Sequence, residues 1–284
     1  MTTIGHGEVF SRIINKDLLI NNTGTLGLIG FFSITLISLI SSYFVPHNFV
    51  HNIILHSIGA LGFILFFIRA NKNKNEFKYF LLLVLILLIG AYVYKNHDDF
   101  PYYHLTYSLN LSENRFMIGT GAFSHGFRTI SSIFYYNSVL YMPFIKFYLF
   151  HIGPFFILAF FNFTIFNNLF KNINENKINF LFFFKLLSLI FINVAFYRIA
   201  EHGTDRSAQI LLVLIFLLFF DLIFFEKNEQ KIISKLNLFL ILIFLASSMK
   251  AIYYMYLILV PVVMVKKNLI LKFFIKKNFL IIFI

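Results

Sequence analysis

The stretch from Asn96 to His104 concentrates reactive side chains within a chain that is mostly apolar. It places two adjacent acids, Asp98 and Asp99, between two histidines, and it opens a polar segment of about fifty residues, Lys95 to Lys146. Carboxylates of this kind serve as general bases or as ligands of hard cations. Long segments between apolar runs commonly carry function, so we interpret this segment as the functional centre of the chain.

Two further charged groups lie between apolar runs later in the chain. One is the short connection from Glu201 to Arg206, which also holds His202 and Asp205, and the other is Lys250. A charge at the centre of a bilayer costs roughly 2.5–3.5 kcal/mol on insertion scales, so such groups persist where water, partners or function support them. We predict that these groups and the Asp98 pair share one membrane face. The alternative is that they are ordinary solvated loop residues.

The composition indicates an integral membrane protein. Hydrophobic residues make up 59% of the chain and charged residues 13%, and apolar blocks recur along its whole length. Because the chain has no cysteine, disulfides and thiolate metal sites are excluded. The formal net charge of +12 fits lysines in short loops beside anionic membrane lipid, and we do not expect a nucleic-acid partner.

The apolar runs predict an all-α, polytopic bundle of about eight or nine spans. An amphipathic helix within Met1–Thr25 is expected to lie along the membrane surface. As one helix, Leu236–Val265 would be about 45 Å long, so we predict two short helices that meet at Lys250. The last segment, Leu269–Ile284, ends within an apolar run, and we expect a span that continues beyond it. The first six predicted spans are Leu26–Val45, Phe49–Ile68, Phe77–Tyr94, Phe147–Phe170, Ile178–Ile199 and Ser207–Phe225.

Other features of the sequence suggest structural roles. Two short amphipathic stretches, 105–117 and 133–144, are predicted as surface helices on either side of a glycine-containing break. His47, His51 and His56 lie near one another in the chain and could suggest a metal site or a metal transporter, but His51 and His56 are five residues apart and no acid accompanies them, so we do not expect metal ligation. Lys185 lies inside the fifth span, where its long side chain can extend toward the interface, and we assign it no role.

Basic residues in the loops predict the orientation of the chain. With the N-terminus inside, the inner segments hold 13 lysines and arginines and the outer segments hold 7. The Asp98 loop, the Glu201–Arg206 loop and Lys250 then all face the extracytoplasmic side. We expect an integral protein of a bacterial inner membrane with a cytoplasmic N-terminus.

The order of the three charged groups resembles the GT-C superfamily of integral-membrane glycosyltransferases, which includes protein O-mannosyltransferases and aminoarabinose transferases. In that superfamily a span leads to an extracytoplasmic acidic pair and two surface helices, a second acidic motif follows, and many members then carry a basic residue between short spans. The resemblance divides the chain into an N-terminal part, 1–76, a core, 77–267, with the long loop 95–146, and the start of a further span, 268–284. Lys250 lies in Ser-Ser-Met-Lys-Ala, without the Gly-Pro that is common in the superfamily.

The resemblance implies transfer of a sugar from a polyprenyl-phosphate donor, with membrane lipid as the surroundings. It gives catalytic roles to Asp98 and Asp99, with a slight preference for Asp98 as the general base. Mg²⁺ or Mn²⁺ is left open as a cofactor, because some members need no metal. The implied metal ligands are Asp99, Glu201 and Asp205, and the implied substrate-binding residues are Lys250, Arg206, His202, Tyr103 and His104.

Two other functions remain alternatives at this stage. A secondary transporter would also carry ionisable groups in its membrane part, although it typically has inverted repeats and broken helices near the midplane. A non-catalytic subunit of the same fold would retain the helices without the chemistry, since fold alone does not establish activity.

Overall fold

The computed structural model describes residues 1–14, 22–69, 71–92, 98–123, 125–197 and 203–269. Within these ranges the chain is helical and has no strand beyond an isolated bridge between Met142 and Lys146. The α-helices are α1 Thr2–Ile14, α2 Thr23–Ser42, α3 Phe49–Arg69, α4 Asn71–Tyr92, α5 Leu105–Glu113, α6 Ser132–Val139, α7 Ile152–Asn174, α8 Phe180–Ala195, α9 Thr204–Phe220, α10 Glu229–Met249 and α11 Leu259–Lys266.

Five of these helices are long and apolar enough to cross a membrane, which agrees with the predicted class of protein. They are α2, α3, α7, α10 and α9 with the π-helical turn Asp221–Phe225 that extends it. Two shorter apolar helices are α8, with 16 residues, and the segment Ala251–Lys266. The predicted spans coincide with helices to within a few residues, because long apolar runs leave the backbone of a membrane segment little choice but helix.

The break at Lys250 lies where the sequence predicts it. Lys250 has an extended backbone, with φ −151° and ψ 120°, between α10 and the 3₁₀ helix Ala251–Ile258. The prediction of two short helices is wrong for the first of them. α10 begins at Glu229, where Asn228 caps it, and its 21 residues suffice to cross by themselves.

The first helix, which the sequence predicts along the membrane surface, is largely buried within the bundle. α1 packs against α2 and α3, and its buried face is made of small and polar residues such as Gly5, Gly7 and Glu8. A Cβ at Gly30 would lie 1.7 Å from the carbonyl oxygen of Thr3, so the two backbones are in direct contact. The spacing of apolar residues in α1 predicts contacts on a different face of this helix. The buried face packs through glycines, which add no hydrophobic pattern to the sequence.

The second predicted surface helix is also buried. All residues of α6 are buried, between α2, α5, α7 and α10, and Tyr136 stacks on Phe31 with ring centroids 3.9 Å apart. α5 buries one side only, through residues such as Tyr107 and Leu111. The polar segment between α4 and α7 therefore forms a folded cap on one end of the bundle.

Histidines fasten this cap to the helices. The Nδ1 atom of His47 lies 2.6 Å from the Ser138 hydroxyl, and its Nε2 atom lies 2.9 Å from the Ser38 carbonyl oxygen. The side-chain amide of Asn52 donates to the carbonyl oxygens of His47, Ser138 and Tyr141. Both ring nitrogens of His47 are occupied in this way.

We call the end of the bundle that carries residues 98–151 the site end. Residues 175–179 and 226–228 lie at the other end, which we call the opposite end.

Candidate functional site

A cavity of about 760 Å³ lies at the site end, and we call it the site cavity. Its walls come from the Asp99–His104 turn, the 128–134 segment, the start of α9 and the break at Lys250. The structure therefore brings together six residues predicted from the sequence, which are Asp99, Tyr103, His104, Asp205, Arg206 and Lys250.

The first acid of the cavity is held by a π-helical turn. Phe100–His104 forms a single π turn with Pro101 at its start, and Asp99 is the residue that precedes it. The Tyr103 hydroxyl donates to the Asp99 carboxylate over 3.3 Å. Burial and the neighbouring Asp99 charge raise the pKa of Tyr103 above its usual value, so its hydroxyl stays protonated as a donor at neutral pH. π turns are frequent at functional sites because they redirect side chains from the regular helical positions.

The second acid and the lysine form an ion pair across the cavity. Lys250 Nζ lies 2.5 Å from Asp205 Oδ2, and both side chains are about half exposed. Asp205 is in the first turn of α9, where the helix dipole favours a negative charge. Lys250 can reach it because the helix break turns its backbone away from α10.

The floor of the cavity is aromatic and rigid. The rings of His104 and Phe134 are 5.0 Å apart, and Tyr103 meets Phe134 edge-on at 6.0 Å. The Ser248 hydroxyl donates to the Ser132 hydroxyl over 2.9 Å and ties α10 to α6 beside this floor. Aromatic faces of this kind offer an apolar platform with polar edges.

Other lining residues were not predicted from the sequence. Arg128, Thr129 and Gln209 line the cavity, and the Arg128 Nε atom donates to the Gly121 carbonyl oxygen over 3.0 Å. Their positions depend on how the cap folds back over α9, which no local pattern reveals. With Arg128 included, the lining holds three cationic side chains and two carboxylates, a balance that favours an anionic ligand.

Some predicted site residues fall elsewhere. Asp98 is exposed and does not line the cavity, whereas Asp99 does. Glu201 and His202 lie outside the described residues. Within the ranges that the structure describes, no group of three histidine or acidic side chains is placed to hold a metal ion, and the Asp205 carboxylate is already engaged by Lys250.

Comparison with known proteins places the whole chain in one family. A family model described as a domain of unknown function, DUF8201, matches residues 1–284. The chain belongs to the DUF8201 family. No curated protein and no solved structure matches it. The site cavity of this DUF8201 chain is therefore interpreted from its own residues.

Proposed function

We propose that the chain is an integral-membrane glycosyltransferase that takes a sugar from a polyprenyl-phosphate donor at the site cavity. The single observation that carries the proposal is the convergence on one cavity of Asp99, Asp205 and Lys250, which are far apart in sequence. A base, a phosphate-binding cation and an aromatic floor are the parts that this transfer needs. The order of these residues in the chain resembles that of the GT-C superfamily, and this resemblance implies the same sugar transfer.

The proposal puts the site end on the extracytoplasmic face. This orientation rests on the count of lysines and arginines, which is 13 in the segments predicted inside and 7 in those predicted outside. Eight apolar segments, α2, α3, α4, α7, α8, α9, α10 and Ala251–Lys266, then cross in alternating directions around a GT-C-like core. The membrane in this proposal is a bacterial inner membrane.

Asp99 is the general base of the proposed reaction. The acceptor hydroxyl attacks the anomeric carbon of the donor sugar, its proton passes to the Asp99 carboxylate, and the bond from that carbon to the phosphate oxygen breaks. Asp99 replaces Asp98 in this role because it lines the cavity while Asp98 is exposed. Tyr103 orients the carboxylate through its hydrogen bond to one of the two carboxylate oxygens, Oδ2.

Cations at the cavity stabilise the leaving group. The departing polyprenyl phosphate gains negative charge as the glycosidic bond breaks, and Lys250 and Arg206 lie in the wall that would receive it. The Asp205 carboxylate holds Lys250 in place until the phosphate competes for it.

Release of polyprenyl phosphate by the purified protein tests the proposal. The full chain, reconstituted in lipid nanodiscs, is given polyprenyl-phosphate mannose or polyprenyl-phosphate glucose, with water and simple alcohols as acceptors. We expect release with at least one donor, and Asp99→Asn should slow it about 10²–10⁴-fold because an amide cannot accept the proton. The matched control is Asp98→Asn, which should keep the wild-type rate. An Asp99→Asn variant as active as wild type would refute the assignment.

A further inference from the structure

A second and larger cavity, of about 1220 Å³, opens at the opposite end of the bundle, and we call it the lysine cavity. Its walls come from α2, α4, α7, α8, α9 and α10. Leu181, Leu214 and Leu217 form apolar parts of the wall, while lysine, carboxylate and asparagine side chains form polar parts. A cavity with both apolar and charged walls suits an amphiphilic ligand.

Five lysines line the lysine cavity, and three of them are already paired. Lys235 binds the carboxylates of Asp221 at 2.6 Å and Glu226 at 2.5 Å, while Lys177 binds Glu175 at 2.6 Å. The third, Lys171, lies 3.9 Å from that same Glu175 carboxylate. These contacts use the carboxylates of Asp221, Glu226 and Glu175 for structural ion pairs, and the buried Glu76 is a fourth carboxylate that lines the cavity.

The remaining two lysines supply the positive charge of the cavity. Among the described residues, Lys185 and Lys231 have no ion-pair partner. Lys185 is half-buried and lies about 8 Å along α8 from the start of that helix. The Asp221 carboxylate, whose charge acts on Lys185, is the one that Lys235 already holds.

Two further features fit a bound phosphate. Amide side chains of Asn167, Asn168 and Asn172 line the same cavity and offer hydrogen-bond donors. The π-helical turn Asp221–Phe225 forms part of its wall, as another π turn does in the site cavity. The lysine cavity thus combines lysine side chains and asparagine amide donors with an apolar floor of leucines.

We propose that the lysine cavity binds an anionic membrane phospholipid, with its phosphate beside Lys185 and Lys231 and its acyl chains along the leucine floor. Lys185 then has a ligand-binding role in addition to extending toward the interface. The apolar floor distinguishes this ligand from a soluble phosphate, which would leave the leucines exposed to water. The inference is independent of the transferase proposal, because it uses neither the site cavity nor its chemistry.

Native mass spectrometry of the detergent-solubilised full chain tests this inference. Phosphatidylglycerol and phosphatidylcholine are titrated separately, and we expect one tightly bound phosphatidylglycerol with weaker phosphatidylcholine binding. Lys185→Met and Lys231→Met should each weaken phosphatidylglycerol binding about fivefold, because a lysine near an anionic lipid contributes that much affinity. Lys78 is an exposed lysine of α4 that lies near the opposite end of the bundle but does not line the cavity. The variant Lys78→Met is therefore the matched control and should bind phosphatidylglycerol as wild type does.

Each remaining outcome decides the inference. Equal affinity for the two lipids, or unchanged binding in the double variant Lys185→Met/Lys231→Met, would overturn it. Glycerol 3-phosphate that binds as tightly as the lipid would overturn it in favour of a soluble phosphate. If the double variant does not fold, the wild type still decides, because its preference for phosphatidylglycerol should disappear in high salt.

Discussion

The two ends of the bundle both carry a charged cavity and a π turn, but they are held together differently. At the site end, uncharged hydrogen bonds of His47, Asn52 and Ser138 fasten the cap, and the Lys250 and Asp205 side chains of the cavity are about half exposed. Toward the opposite end, charges themselves join the elements. Glu8, which is fully buried, binds Arg12 and Arg69, each at 2.8 Å.

This difference between the two ends separates charges that hold the fold together from charges that can bind a ligand. A buried ion pair fixes its members, because either partner left alone would be an uncompensated buried charge. Charges that are half exposed contribute little to folding and stay available to a ligand. Neutral groups hold the structure of the site end together, whereas the charged residues of its cavity stay accessible. Among the described lysines that line the lysine cavity, only Lys185 and Lys231 remain outside the ion pairs.

The largest expected effect sharpens this comparison at the opposite end. Glu8→Gln should lower the free energy of unfolding by about 3–5 kcal/mol, because it leaves Arg12 and Arg69 without their buried counter-charge. The midpoint of thermal unfolding in detergent measures it. The control is Glu175→Gln, which removes an exposed carboxylate of the same end and should leave the midpoint unchanged. Equal unfolding midpoints for Glu8→Gln and Glu175→Gln would contradict the claim that the buried ion pair contributes more to stability than the exposed one.

A second prediction concerns pH and the neutral fastening of the site end. Burial, aided by the adjacent His51, lowers the pKa of His47 to about 4, so the folded protein keeps this imidazole neutral. The unfolded chain, with a histidine pKa of about 6.5, binds the proton more readily between those two values. Stability should therefore be complete above about pH 6.5 and fall by about 3 kcal/mol as the pH drops to about 4.

His47→Gln checks that prediction, because glutamine keeps hydrogen-bonding groups but does not titrate. The loss of thermal stability between pH 7 and pH 5 should be smaller in this variant than in wild type. The exposed His125, changed to glutamine, serves as the control and should keep the wild-type pH dependence. An identical pH dependence in His47→Gln and wild type would show that another group is responsible.

The smallest effect on stability is expected at the ion pair of the site cavity. Lys250→Met should lower the free energy of unfolding by only about 0.2–1 kcal/mol, since the pair is half exposed. Its effect on donor binding should be larger, with KM raised about tenfold, because the phosphate of the bound donor loses a cation. A large loss of stability with unchanged KM would instead make Lys250 a structural residue.

The sequence predicts the helices and the meeting of the charged residues better than it predicts packing. Apolar runs locate the spans, and Lys250 in an apolar stretch marks the break between two helices. Asp99, Asp205 and Lys250 were expected on one face because successive spans alternate in direction. The burial of α1 could not be predicted, since Gly5 and Gly30 leave no hydrophobic pattern.

The finer parts of both cavities depend on contacts between distant segments. The π turn that carries Tyr103 next to Asp99 is not specified by any residue type. The lysine cavity gathers side chains from six helices and could not be predicted, because each lysine alone resembles an ordinary loop charge. The part of the Glu201–Arg206 prediction that concerns Glu201 and His202 lies outside the described residues.

Protection of single cysteines from labelling tests most directly that the site cavity is an outward-facing donor site. The chain has no cysteine, so Thr204→Cys in the site cavity and Gln230→Cys near the opposite end each give one reporter. In sealed right-side-out vesicles a membrane-impermeant maleimide should label Thr204→Cys, and polyprenyl-phosphate mannose or polyprenyl-phosphate glucose should slow that labelling. Gln230→Cys should react only after permeabilisation and at a rate that the donor does not change. Labelling of Gln230→Cys in sealed vesicles, or of Thr204→Cys at the same rate with and without either donor, would contradict the account.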